Sequence, residues 1–254
     1  MLREPTMVQL RELSLHGMAQ ALEEQFERPA SIEGLGFEDR LGLLVDRERT
    51  HRRNRRVDRL LREAHLRQTA ACMEDMDYRS SRGLDRGVMQ DLAKGQWIER
   101  HQDVLISGPT GVGKSWISCA LGNAACRNGH SVRYARTPRL MEEIRISQGD
   151  GSYERLMAHL GRVDVLILDD FGLAPLTATE GRLLLEVVDD RFERRSTVVA
   201  SQLPLADWHG LIGDATVADA IMDRWVHRAH KIAMRGDSLR RMQARSADVA
   251  EQAP

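Results

Sequence analysis

The sequence predicts an α/β fold built on a parallel sheet, and three observations carry the prediction. Val104–Ser115 reads VLISGPTGVGKS, a short β-rich apolar run followed by a glycine loop, and Trp116–Cys126 continues with a helical pattern. Val163–Asp170 reads VDVLILDD, the continuous apolar run of a strand buried on both faces, closed by two acids. From Trp97 onward, short apolar runs alternate with helical periods and turn signals, the order that places parallel strands side by side.

The glycine loop carries the chemistry. Gly108, Pro109, Thr110, Gly111, Val112, Gly113, Lys114 and Ser115 fill every fixed position of the phosphate-loop pattern G-x-x-x-x-G-K-[ST]. Glycines let the backbone curl around an anion with successive N–H groups turned inward. Lys114 brings a mobile positive charge to the β- and γ-phosphates of ATP, and the Ser115 hydroxyl offers a hard oxygen ligand to Mg2+. A chance glycine turn matches the letters equally well; the strand before and the helix after, aimed at the phosphates, separate the two readings. Asp169 and Asp170, about 55 residues further on, end a strand where ligands bind in open α/β sheets. Asp169 suits Mg2+, directly or through water, and Asp170 suits the general base that orients or deprotonates the attacking water.

At 254 residues the chain has room for one full α/β domain and a small second one. With 30% charged and 42% hydrophobic residues and few aromatics, it reads as a soluble, helix-rich protein. No apolar run reaches the length of a membrane span, and MLREPTMVQL lacks a signal-peptide core, so a cytoplasmic location is expected. Cys72, Cys119 and Cys126 form no C-x-x-C pair and are odd in number, which argues for reduced thiols rather than disulfides or a metal site. Net charge is −1, uninformative in itself, but the arginines are clustered.

Taken in order, Thr6 and Gln9 suggest a capping box, with Val8, Leu15, Met18, Leu22 and Phe26 on one helical face. Residues 28–36 are a loop. A helical pattern runs from Phe37 to Gln68, with Leu41, Leu44 and Val45 early and Val57, Leu60, Leu61 and Ala64 late. Between them residues 46–56 hold no apolar residue, and Arg47, Arg49, Arg52, Arg53, Arg55 and Arg56 point all around the helix. Such a stretch is expected to bury no core face. Either it is solvated, with Asp46 and Glu48 as partners, or it lies against DNA phosphates. Ala70–Gly83 reads as a linker and Leu84–Ala93 as a short helix. Trp97 serves equally well as a wall of the base pocket or as core.

After the phosphate loop, Asn128-Gly129 ends the helix and Ser131–Ala135 is the second strand. Thr137 as cap and Pro138 at the first position open the next helix, which breaks at Gly149-Asp150-Gly151. Thr177 and Glu180 form a capping box before Leu183, Leu184, Val187 and Val188. Ser196–Ala200 is the fourth strand. Ser201 or Gln202 at its end is a candidate sensor of the γ-phosphate, or else plain strand-end capping. Val217–Ala229 is a helix, Lys231–Met234 a fifth strand, and the charged remainder a helix with a frayed end.

Together these features resemble the AAA+ ATPases, and more closely the IstB-like proteins, transposition helper ATPases of bacterial insertion sequences in the initiator and helicase-loader branch related to DnaC. The resemblance rests on GPTGVGKS at 108–115, VLILDDFGLAPL at 165–176, SQLPLADWH at 201–209, IGDATVADAIMDRWVHRAHKI at 212–232 and LGLLVDRER at 41–49. It implies a five-stranded parallel sheet between helices, preceded by a small all-helical domain; in a departure from the usual AAA+ architecture, the remainder after the fifth strand is expected to be too short for a full C-terminal lid. Arg240 and Arg241 therefore stay unassigned. The implied division is a DNA- or partner-binding domain over 1–69, a linker and pocket segment over 70–96, and an ATPase domain over 97–254. Arg224 aligns with the arginine finger that reaches a neighbouring subunit's γ-phosphate, with Arg228 a nearby rival. The break at 148–153 falls where initiator-type members carry an extra helical element facing DNA. The implied activity is ATP hydrolysis by a homo-oligomer on double-stranded DNA, with ATP at the subunit interfaces, recruiting or activating an integrase-like transposase. A DnaC-like helicase loader is the alternative.

Overall fold

The computed structural model describes residues 3–78 and 82–238, in two compact units, Met1–Arg59 and Leu60–Pro254. The expected terminal helix, with Arg240 and Arg241, lies outside the described residues.

The first unit holds α1 (Arg3–Glu12), α2 (His16–Glu27) and most of α3 (Phe37–Glu63). Thr6 sits inside α1, so the expected capping box does not form. The single apolar face is also broken: Ser14 adopts a left-handed conformation (φ 58°) and Leu15 N–H turns back to the Leu10 carbonyl, ending α1. The polar stretch of α3 corrects a second expectation, because it does pack against a neighbour. Glu48 is 6% exposed, and its carboxylate accepts from the backbone N–H of Gly17 at 2.7 Å and of Met18 at 3.1 Å. These are orphan donors of the first turn of α2. A side chain at Gly17 would lie 2.7 Å from the Glu48 Cα, so only glycine admits this approach. Burial pushes the Glu48 carboxyl up, but Arg52 and the two amides outweigh it and hold the carboxyl below its ordinary range. Leu41 and Val45, beside Phe37, remain exposed, while the buried apolar side chains described in this unit are Ala19 and Ala21.

The second unit is a parallel sheet of β1 (Val104–Ser107), β2 (Val132–Arg136), β3 (Val165–Phe171), β4 (Ser196–Ser201) and β5 (His230–Ala233), in the order β2-β3-β4-β1-β5. On one face Ile106, Ile167 and Val198 pack with α4 (Arg86–Ala93), α5 (Gln96–Glu99) and α6 (Lys114–Arg127). On the other, Leu105, Leu166, Leu168 and Val199 meet α7 (Thr137–Asp150), α8 (Tyr153–Arg162), α9 (Ala178–Arg191) and α10 (Ala215–Val226). The central strands β1, β3 and β4 are thus covered on both faces, as their lack of alternation requires.

Several local signals act as expected. Gly129 (φ 92°) follows the end of α6, and Thr177 and Glu180 form a reciprocal capping box on α9. A left-handed Gly151 turns α7 into α8. Thr137 is the first residue of α7 rather than its cap. Its hydroxyl donates instead to the Asp169 carbonyl at 3.1 Å, tying α7 to the end of β3.

Residues 60–76 depart furthest from expectation, whereas the short helix expected over Leu84–Ala93 forms as α4. Leu60, Ala64 and Leu66 belong to the core of the second unit, and Tyr134 N–H donates to the Ala64 carbonyl. The stretch read as a linker buries Ala71, Met73 and Met76 in the same core. Unbranched methionines fill irregular gaps without repeating at a helical or strand period, so the packing left no periodic trace. Trp97 is core as well: it is 3% exposed and its indole N–H donates to the Leu92 carbonyl.

Candidate nucleotide site

β1, β3 and β4 are neighbours, and their C-terminal ends are level, with Ser107 opposite Ser201 and Ser201 opposite Phe171. This register gathers the loop after β1, the acids ending β3 and the polar residues after β4. They surround a cavity of ≈ 470 Å³ lined in part by Thr110, Lys114, Ser115, Asp170 and Gln202.

The loop needs its glycines. Gly111 (φ 88°) and Gly113 (φ 98°) are left-handed, and a Cβ on Gly108 would stand 2.5 Å from the Met234 carbonyl oxygen. Gly113 is the residue before α6, so the helix starts at Lys114 with its orphan N–H groups facing the loop. The Lys114 ammonium donates to the loop's own carbonyls, Gly108 at 2.7 Å and Pro109 at 2.8 Å. Burial lowers its pKa, and Asp169 and Asp170 act in the opposite sense.

Consecutive strand residues point to opposite faces, yet both acids serve one end of the sheet. Asp170 resolves the conflict by taking a left-handed backbone (φ 57°), and the β3–β4 register shifts between Leu168 and Phe171. Asp169 is 1% exposed; Tyr134 donates its hydroxyl to Oδ2 at 2.6 Å and the Asp170 N–H bonds Oδ1 at 3.0 Å. Asp170 faces the cavity, where the Arg136 Nε donates to its Oδ2 at 2.6 Å and the Arg67 guanidinium lies 3.8 Å away. Burial and the Asp169 hydrogen bond drive the Tyr134 phenol far above its ordinary range, so it stays a donor.

Of the two sensor candidates, Gln202 lines the cavity and accepts the Thr110 hydroxyl at 2.6 Å. Ser201 is fully buried, its hydroxyl accepting from the Leu203 N–H as a strand-end cap. Arg224 is not among the cavity residues. It pairs with Asp189 in the last turn of α9, beside the Phe192 ring. That turn lies where β4 begins, as the Arg191 bonds to the Val163 and Ser196 carbonyls show. Arg224 thus stands toward the end of the sheet where β4 begins, whereas the phosphate loop follows the other end of β1. Its rival Arg228 pairs with Glu193. Among the arginines of α3, Arg47 pairs with Glu24 and Arg52 with Glu48 inside the first unit, while Arg49, Arg53 and Arg55 are exposed.

Arg67, Gln68, Trp116, Arg136 and Leu173 also line the cavity, and sequence reasoning missed them, as it missed Tyr134. The signal for Arg136 and Tyr134 was the pairing of β2 with β3, which sets Arg136 opposite Asp169. Strand adjacency cannot be read along the chain.

A phosphate loop at a helix N-terminus, an acid pair ending a strand of the same parallel sheet and a polar residue after the strand between them define a P-loop NTPase of the AAA+ type. The chain belongs to the family described as IstB-like ATP binding protein, whose model matches residues 8–247. It is 49% identical over 245 residues to an insertion sequence ATP-binding protein of Sinorhizobium fredii, covering 96% of this chain and 99% of the relative. It is 52% identical over 204 residues to the ATP-binding protein of insertion sequence IS1162 from Pseudomonas fluorescens, covering 80% and 88%. The fold is shared with the crystal structure of the DnaC helicase loader at a TM-score of 0.53 and 14% identity, over 65% of this chain and 97% of that one. Among the described residues no helix is long and apolar enough to cross a membrane.

Proposed function

We propose that this chain is a Mg2+-dependent ATPase that assembles on double-stranded DNA, carries ATP at its subunit interfaces, and recruits or activates an integrase-like transposase, with hydrolysis governing assembly and release. The observation that carries the reading is one cavity bounded by Lys114, Ser115, Asp170 and Gln202, with Asp169 directly behind. Residues 108–115 would wrap the phosphates, with Lys114 exchanging two carbonyls for phosphate oxygens. Ser115 and Asp169 are hard oxygen donors that fit Mg2+, with the phosphates and water completing its shell. When bound, that ion neutralises charge on the β- and γ-phosphates. Asp170 would orient and deprotonate the attacking water, Gln202 would sense the γ-phosphate, and Arg136 and Arg67 add positive charge in cis. Arg224 would act on a neighbouring protomer's ATP, since it stands toward the end of the sheet away from its own phosphate loop. That arrangement makes turnover depend on assembly.

The arginines of α3, chiefly the exposed Arg49, Arg53 and Arg55, would meet DNA phosphates, with Arg47, Arg52 and Arg56 nearby. The relatives' place in insertion sequences favours a transposase as partner. The test is multiple-turnover phosphate release with duplex DNA, with single strands, and with neither. Stimulation by duplex, absent in Lys114→Ala, is expected. Preference for single strands would instead point to helicase loading, and no turnover under any condition would overturn the proposal.

A further inference from the structure

Arg82 is 5% exposed, yet nothing about its place in the sequence marks it. Its guanidinium joins two backbone carbonyls: Nη2 donates to Val112 at 2.8 Å and Nη1 to Asp77 at 2.8 Å. Val112 is the residue of the phosphate loop between Gly111 and Gly113, and it is 1% exposed. The backbone of Arg82 is itself held, because its carbonyl accepts the Arg235 N–H at 3.1 Å. The left-handed Gly83 (φ 68°) lies close against the Ala233 carbonyl at the end of β5.

We propose that Arg82 is a positioning residue of the phosphate loop, one that fixes the Val112–Gly113 peptide in its anion-binding orientation. The Val112 carbonyl and the Gly113 N–H belong to one planar peptide unit and point in opposite directions. A guanidinium that holds the carbonyl outward therefore holds the N–H inward, toward the phosphates. On its far side Gly113 has no Cβ to resist a flip of this peptide. A buried carbonyl left without a donor would favour turning elsewhere. Arginine suits the task because its rigid fork spans two separate carbonyls, which a lysine ammonium on a flexible stem does less well.

The inference rests on the reading of residues 108–115 as the ATP site. The test compares wild type, Arg82→Met and Arg82→Lys for MgATP affinity by calorimetry, for KM and kcat, and for melting without nucleotide. Arg82→Met is expected to raise Kd and KM about 10- to 100-fold, the loss of a charge-assisted hydrogen bond, with kcat at saturation within about twofold. Arg82→Lys, keeping the charge but not the fork that spans both carbonyls, is expected to fall between. If Arg82→Met fails to fold, the lysine variant is read alone. A folded variant of either kind with wild-type Kd, or one losing kcat at unchanged KM, overturns the assignment. A wild-type protein that binds no MgATP would overturn the nucleotide site instead.

Discussion

Arg224 offers a test of whether the site is shared between protomers. Its guanidinium pairs with Asp189 near the end of the sheet where β4 begins, while the phosphate loop follows the opposite end of β1. It does not line the cavity at its own phosphate loop. Lys114→Ala removes the phosphate ligand of a protomer's own site, and Arg224→Ala removes the charge it lends to its neighbour. Each variant alone is expected to fall by about 10³-fold or more in ATPase rate. The Arg224–Asp189 pair is half-exposed, so its loss should cost little stability. Co-assembled in equal amounts, the variants create some interfaces with an intact loop on one side and an intact guanidinium on the other. Random assembly meets both conditions at about one interface in four, so the mixture should recover roughly a quarter of the wild-type rate. Steady-state phosphate release on co-expressed, doubly tagged complexes measures this. A mixture no faster than its parents would refute an active site completed in trans by Arg224.

Two other outcomes follow from particular residues. Replacing Arg49, Arg53 and Arg55 together with alanine should weaken duplex binding at all sequences and reduce the slope of log K against log salt by about 3, measured by titration at several ionic strengths; an unchanged slope would remove α3 from the DNA interface. Asp103 accepts the Thr197 N–H, and burial pushes its carboxyl up to about 7, the amide and Arg191 pulling the other way. Its folded pKa exceeds the unfolded one, so stability is fullest below the unfolded value near 3.8 and is lost as pH rises toward 7. Asp103→Asn should therefore gain about 2 kcal/mol more over wild type at pH 8.5 than at pH 5.5 in urea unfolding; an equal effect at both would refute this.

Local chemistry was legible at several places where a residue acts on its near neighbours in the chain, though not at Thr6, which lies inside α1, nor at Thr137, which is not the cap of α7. The phosphate loop, the Thr177–Glu180 box, the stop at Asn128-Gly129 and the twice-covered β3 all rest on spacings of a few residues, and all appear where read. Long-range partners were not legible. Glu48 looked like one more charge on a polar helix, yet it caps α2 from 31 residues away. Met73 and Met76 looked like linker because gap-filling has no period.

What the sequence determined by itself was the chemistry on offer: an anion-wrapping loop, a lysine, a hydroxyl and two carboxylates, each on a strand end or a helix start. Only the tertiary structure decided which of these meet. The strand order set β4 between β1 and β3, the left-handed turn at Asp170 swung the second carboxylate into the cavity beside Arg136 and Arg67, and the end of α9 held Arg224 toward the far end of the sheet. The reason is physical: backbone propensity and periodicity act over one or two turns, whereas strand adjacency is decided by which apolar faces can be buried together across the whole sheet.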